Sequence, residues 1–116
     1  MTFCFSVDLK AKPGGDVTLP CNSQTDAVVQ KLVWSRSDLK DVIVFFFRDN
    51  ILIETNQHPR YRGRVELKDP QMKNGGASVV LKNVDIDDSG TYKCEVRTSS
   101  ISQPEQSINL TVSKGE

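Results

Sequence analysis

Histidine is almost absent from this sequence: the single one, His58, sits in a loop before Pro59, and no nucleophile motif accompanies it. Acid–base and nucleophilic catalysis therefore have little to build on, and an enzymatic role is not expected. Charge of one sign is also missing. Fifteen basic and fifteen acidic residues give a formal net charge of zero and are interspersed, so no basic stripe tracks phosphates or an anionic membrane. Nucleic acid and direct membrane contact are not expected as partners. Long apolar runs are lacking too. The longest, Val42 to Phe47, falls far short of the roughly 20 residues a membrane helix needs. Met1 to Phe5 is too short for a signal peptide, so the expectation is an ectodomain whose leader and membrane anchor lie outside the chain. Cysteine is sparse, at three, and without the close C-x-x-C pairs of a zinc site. The acidic residues Asp85, Asp87 and Asp88 suggest a calcium loop, but the twelfth position counted from Asp85 is Val96 where a bidentate acid is needed. No metal and no cofactor is expected.

What is present is strand pattern. A chain of 116 residues is one domain, with its core expected over about residues 6–113. Short alternating segments are separated by turn signals: Ser6 to Lys12 before Pro13-Gly14-Gly15, Asp16 to Cys21, a strand carrying Trp34, Val42 to Phe47 before Arg48-Asp49-Asn50, and Ile51 to Ile53. Further strands follow at Arg64 to Lys68, at Ala77 to Leu81, from the Asp88-Ser89-Gly90 turn to Thr98, and around Ile108, Leu110 and Val112. Arg36 to Asp41 reads as a charged connection. Because side chains alternate on a strand, Tyr92 and Cys94 share one face, while Lys93, Glu95 and Arg97 share the other. If Trp34 is core, Leu32 also points inward and Val33 and Ser35 outward. Three consecutive phenylalanines, Phe45 to Phe47, cannot all face the core.

Cys21, Trp34 and the run Asp88-x-Gly90-x-Tyr92-x-Cys94, in that order, resemble a V-type immunoglobulin domain over essentially the whole chain. The resemblance implies an all-β, two-sheet antiparallel Greek-key sandwich. It implies that Cys21 and Cys94 form the inter-sheet disulfide, with Trp34 packed on it and Tyr92 forming a tyrosine corner. A disulfide of this kind needs an oxidising compartment, hence an extracellular location. Cys4 is then a spare, either a free thiol or a link to a second chain. By the same resemblance Arg64 pairs with Asp88, and Phe46 points inward with Phe45 and Phe47 outward. The segments Gly15 to Cys21, Tyr61 to Leu67 and Leu81 to Tyr92 resemble the butyrophilin and myelin oligodendrocyte glycoprotein group and the related T-cell costimulatory and coinhibitory ligands. Strand G lacks the Phe-Gly-x-Gly motif of antigen-receptor variable domains.

That group binds through the outer face of the sheet formed by the strands lettered G, F, C and C′. The partner-binding residues expected from it are Val33, Ser35, Phe45, Phe47, Lys93, Glu95 and Arg97. The implied function is an immune cell-surface receptor or ligand that binds an immunoglobulin-like protein on an opposing cell and modulates lymphocyte responses. Homophilic adhesion, in which the face meets a second copy in a homodimer, is the alternative. A secreted innate pathogen-binding receptor using the loops Asn22 to Gln30 and Ser99 to Pro104 stands behind both. Asn109-Leu110-Thr111 is a glycosylation sequon on the outward side of its strand.

Overall fold

The computed structural model describes residues 5–23, 28–40, 42–72, 76–98 and 105–114. Among these residues nine strands follow in order: β1 (Phe5–Ala11), β2 (Val17–Leu19), β3 (Val29–Arg36), β4 (Val42–Arg48), β5 (Ile51–Leu52), β6 (Val65–Leu67), β7 (Val79–Leu81), β8 (Gly90–Thr98) and β9 (Gln106–Val112). They form a six-stranded sheet ordered β1-β9-β8-β3-β4-β5 and a three-stranded sheet ordered β2-β7-β6. Strands β3, β4, β8 and β9 are C, C′, F and G of the expected fold. The alternating patterns place Leu32, Trp34, Tyr92, Cys94, Val96, Ile108, Leu110 and Val112 on the inner face of the large sheet. They meet Val17, Leu19, Val65, Val79 and Leu81 from the small one. The Cys21–Cys94 disulfide joins the layers with a Cα–Cα distance of 6.4 Å. Trp34 is fully buried and lies opposite Cys94 in the β3–β8 register. The bridge closes a span of 73 residues, which restricts the unfolded chain by about 4.5 kcal/mol in the chain-entropy description.

Several boundaries are tighter than the pattern suggests. Pro20 has no N–H to give, so the β2 ladder stops at Leu19. The chain beyond it is held by Ser78, whose hydroxyl accepts from the Cys21 N–H at 3.0 Å, and by the Ala77 N–H donating to the Cys21 carbonyl at 2.9 Å. The strands expected at Arg64 to Lys68 and Ala77 to Leu81 shorten to Val65–Leu67 and Val79–Leu81. One pairing is parallel rather than antiparallel: β1 runs alongside β9 from Phe5↔Gln106 to Ala11↔Val112. No hairpin links these two strands, so nothing obliges them to run in opposite directions. The chain then leaves the large sheet at Gly14, whose φ of +89° belongs to the left-handed region and whose N–H donates to the Val84 carbonyl at 2.8 Å.

The decisive irregularity is in β4. Its register against β3 steps from Trp34↔Phe45 to Ser35↔Ile43, leaving Val44 as an extra residue in a bulge. Val44 is fully buried, and its carbonyl accepts from the Gln57 side-chain amide at 2.8 Å. Unbroken alternation from Val42 inward would make Val44 and Phe46 inward as well. The extra residue reverses the phase beyond it, so Phe45 (2% exposed) and Phe47 (8%) enter the core. Phe46 is half-buried on the outer side. The expectation for the three phenylalanines is therefore inverted. At the far end of β4, Asp49 and Asn50 both take positive φ, 51° and 65°, as a two-residue type I′ hairpin requires before β5.

Candidate partner-binding face

Strand registers lay out the outer face of the large sheet as rows crossing β8, β3 and β4. One row reads Arg97, Lys31, Arg48 and continues to Ile51 on β5. The next reads Glu95, Val33, Phe46, and the next Lys93, Ser35, Ile43, with Ser107 of β9 beside Lys93. Val33, Ser35, Lys93, Glu95 and Arg97 thus share one surface. Phe45 and Phe47 do not belong to it, and Phe46 takes their place. Val33 is only 8% exposed although it lies outside the core cluster, enclosed by its neighbours on the sheet surface. The Lys31 ammonium lies 6.0 Å from the Phe46 ring centroid, and Lys93 pairs with Glu105 at 3.6 Å. The centre of the face is apolar, from Val33, Phe46 and Ile43, and charges surround it.

A polar core lies at one end of the sandwich. Asp88 closes a short 3-10 turn, Ile86–Asp88, and its side chain is fully buried. Its Oδ2 accepts from Arg64 at 2.5 Å and from the Asp85 N–H at 2.8 Å, while Oδ1 accepts from Arg60 at 3.2 Å. Tyr92 donates its hydroxyl to the Asp88 carbonyl at 2.5 Å and lies 3.3 Å from the Tyr61 hydroxyl. Burial alone would raise the Asp88 pKa, but the hydrogen bonds and charge of Arg64, the Asp85 N–H and the Arg60 hydrogen bond hold it below the ordinary carboxylate value. Burial pushes the Tyr92 hydroxyl well above its usual range, and Tyr61 adds to it.

Arg36 and Arg60 were not among the expected structural residues. Arg36 is the last residue of β3, not part of an exposed connection, and is 4% exposed. It donates to both Asp38 carboxylate oxygens, to the Tyr61 hydroxyl at 3.2 Å, to the Asp87 carbonyl at 3.0 Å and to the Ser89 carbonyl at 2.6 Å, which uses all five guanidinium hydrogens. Burial opposes its charge, but the bonds to Asp38 and Tyr61 outweigh that and raise its pKa. The signal was available: Arg36 is two residues after Trp34 and so points the same way. Gly90 serves this cluster. A Cβ there would overlap the Arg36 guanidinium and sit 2.6 Å from Asp38 Oδ2. Gly90→Ala is expected to destabilise by about 1 to 3 kcal/mol, the range for forced overpacking, as measured by denaturant melts.

The remaining candidates are quickly placed. His58 accepts from the Arg60 N–H at 3.1 Å and caps a short turn. Asp85 caps the turn before Asp88, and among the described residues no group of acids, histidines or cysteines is arranged to hold a metal. Asn109 is half-buried on the outer side of β9, donating to Asp8 at 2.9 Å and accepting from Thr91 at 3.1 Å. Cys4, all of Ser99 to Pro104 and part of Asn22 to Gln30 lie outside the described residues.

Comparisons with known proteins agree with the sandwich fold. The chain is 36% identical over 88 residues to V-set domain containing T-cell activation inhibitor 1 of Mus musculus, covering 74% of the chain and 31% of that protein. It is 30% identical over 106 residues to myelin-oligodendrocyte glycoprotein of Homo sapiens, covering 90% of the chain and 42% of that protein. It therefore spans well under half of these curated relatives. Among solved structures, the human B7-H4 IgV-like domain superposes with a TM-score of 0.79 at 27% identity, covering 91% of this chain and 92% of that one. The family model for the immunoglobulin V-set domain matches residues 6–113, and the chain belongs to that family of non-enzymatic binding modules.

Proposed function

We propose that this domain is the ligand-binding ectodomain module of an immune cell-surface receptor or ligand. It engages an immunoglobulin-like protein on an opposing cell through the outer face of β9, β8, β3 and β4, and so modulates lymphocyte responses. The outward presentation of Phe46 carries this reading. An aromatic ring beside Val33 and Ile43, ringed by Lys31, Lys93, Glu95 and Arg97, has the apolar centre and polar rim of a protein interface. The relationship to a protein named for inhibiting T-cell activation supports the immune setting. The inter-sheet disulfide suits an extracellular location. Asn109, outward on β9, is the proposed glycan acceptor.

Binding of the fluorescent, tetramerised domain to lymphocytes and antigen-presenting cells tests the face. Phe46→Ala is expected to weaken binding by about 2 kcal/mol, roughly thirtyfold, as truncation of a central aromatic does. Undiminished binding would move the site off this face, most directly to the loops at the end of the sandwich. Self-association that rises with concentration and is lost in the same variant would make the partner a second copy.

A further inference from the structure

Three cations stand side by side at one end of the face. Arg97, Lys31 and Arg48 are register partners on adjacent strands, and strands are spaced about 4.8 Å apart, so the row extends roughly 10 Å across the sheet. The Asp49 N–H donates to the Gln30 carbonyl at 2.9 Å, tying the β4–β5 turn to the start of β3. Gln30 and Asp49 thereby complete, with the three cations, a shallow concavity of about 290 Å³. Compensation within the chain is slight. Arg48 reaches Asp49 only at 3.8 Å, with both side chains well exposed. Among the described residues, Lys31 and Arg97 have no carboxylate within ion-pair distance.

We propose that this row is an anion-recognition subsite of the face, taking the carboxylates of an acidic, partly apolar protein segment on the partner. The inference rests on the reading of this face as the partner surface. Two observations select a protein segment over a polyanionic glycan or a lipid headgroup. Ile51 (63% exposed) ends the row on one side, and the Val33–Phe46 row borders it on another, so the ligand must bring apolar groups beside its charges. The zero net charge of the chain supplies no long-range field of the kind that holds a polyanion or an anionic membrane. What remains is local complementarity, which sets register and association rate.

The probe is an immobilised synthetic peptide with glutamate at alternate positions and phenylalanine and threonine between, compared with its glutamine counterpart, with heparin and with phosphatidylserine vesicles. The domain is expected to bind the glutamate peptide, to lose affinity as salt rises, and to bind the glutamine peptide about tenfold more weakly. The pair Lys31→Gln, Arg97→Gln should lower glutamate-peptide binding by about tenfold with unchanged melting, while Lys31→Arg, Arg97→Lys retains it. No binding to the glutamate peptide, equal binding to both peptides, full binding by the glutamine-substituted domain, or preference for heparin or vesicles would each overturn the proposal. The cell-binding assay separates the two readings. Loss with Phe46→Ala but full binding by the Lys31→Gln, Arg97→Gln domain overturns the row and leaves the face standing, whereas full binding by both variants overturns the face itself.

Discussion

Phe45→Ala is expected to cost about 3 to 5 kcal/mol of folding stability, the range for removing a buried aromatic ring, while Phe46→Ala next to it leaves the melting curve within about 0.5 kcal/mol of the parent. The two rings are adjacent in sequence and opposite in role. Phe45 is paired with Trp34 across the β3–β4 ladder and is 2% exposed inside the core cluster, so its removal leaves a cavity against the inner sheet. Phe46 is paired with Val33 on the outer surface. Phe47, 8% exposed and opposite Leu32, should behave like Phe45 with a smaller loss, because it is less completely enclosed and Leu52 beside it at the sheet edge is exposed. Denaturant melts of the three single variants check the order. Loss of stability at Phe46 with none at Phe45 would mean that β4 has no bulge at Val44.

Removing the Asp88 carboxylate is the second large perturbation. Asp88→Ala leaves Arg64, 24% exposed, and Arg60 beside a vacated buried site, and breaking such a pair from one side costs about 3 to 5 kcal/mol. Arg64→Ala should cost less, since Arg60 continues to compensate Asp88 on its Oδ1 side. The same carboxylate sets a pH dependence. Its folded pKa lies below the ordinary 3.8, so between the two values the unfolded chain holds more protons than the folded one. The contribution of Asp88 is therefore fully present above the ordinary carboxylate range and is lost as pH falls through the folded value. Asp38, lowered by its hydrogen bonds to Arg36, titrates in the same direction. Stability measured from neutral to acid pH should fall steeply below about pH 4 in the parent. The fall should be shallower in Asp88→Asn. Parallel profiles for the two would remove Asp88 as a source of acid sensitivity.

The layers of the fold were legible where a residue type has few physical uses. A tyrosine two positions before a cysteine, a tryptophan on the strand between two cysteines and an acid before the glycine each point to one arrangement, and Tyr92, Trp34, Cys21–Cys94 and Asp88 occupy it. The outer positions Val33, Ser35, Lys93, Glu95 and Arg97 followed from alternation alone, because β3 from Lys31 to Arg36 and β8 from Tyr92 to Arg97 pair without a shift and keep their phase. Strand β4 does not. A bulge in an uninterrupted run of Val, Ile and Phe has no glycine or proline to announce it. Its position depends instead on contacts far along the chain, among them Gln57 reaching the Val44 carbonyl and the His58 N–H reaching the Ile43 carbonyl. Arg36 was misplaced for a different reason. A charged residue next to a polar connection reads as solvated even where alternation from Trp34 turns it inward, and the convergence of Asp38, Tyr61, Asp87 and Ser89 is what satisfies its buried charge.

The bulge at Val44 also divides the run by selective pressure. Positions 45 and 47 answer to folding, and position 46 answers to whatever the face meets. A change at Phe46, together with Lys31 or Arg97, can then redirect recognition without spending stability. A lineage of such domains could exchange partners by drift at a few outward positions while every copy kept the same interior. For an engineer, the outward rows of β3, β4 and β8 are the positions to randomise in a display library, and Val44, Phe45 and Phe47 are the ones to hold constant.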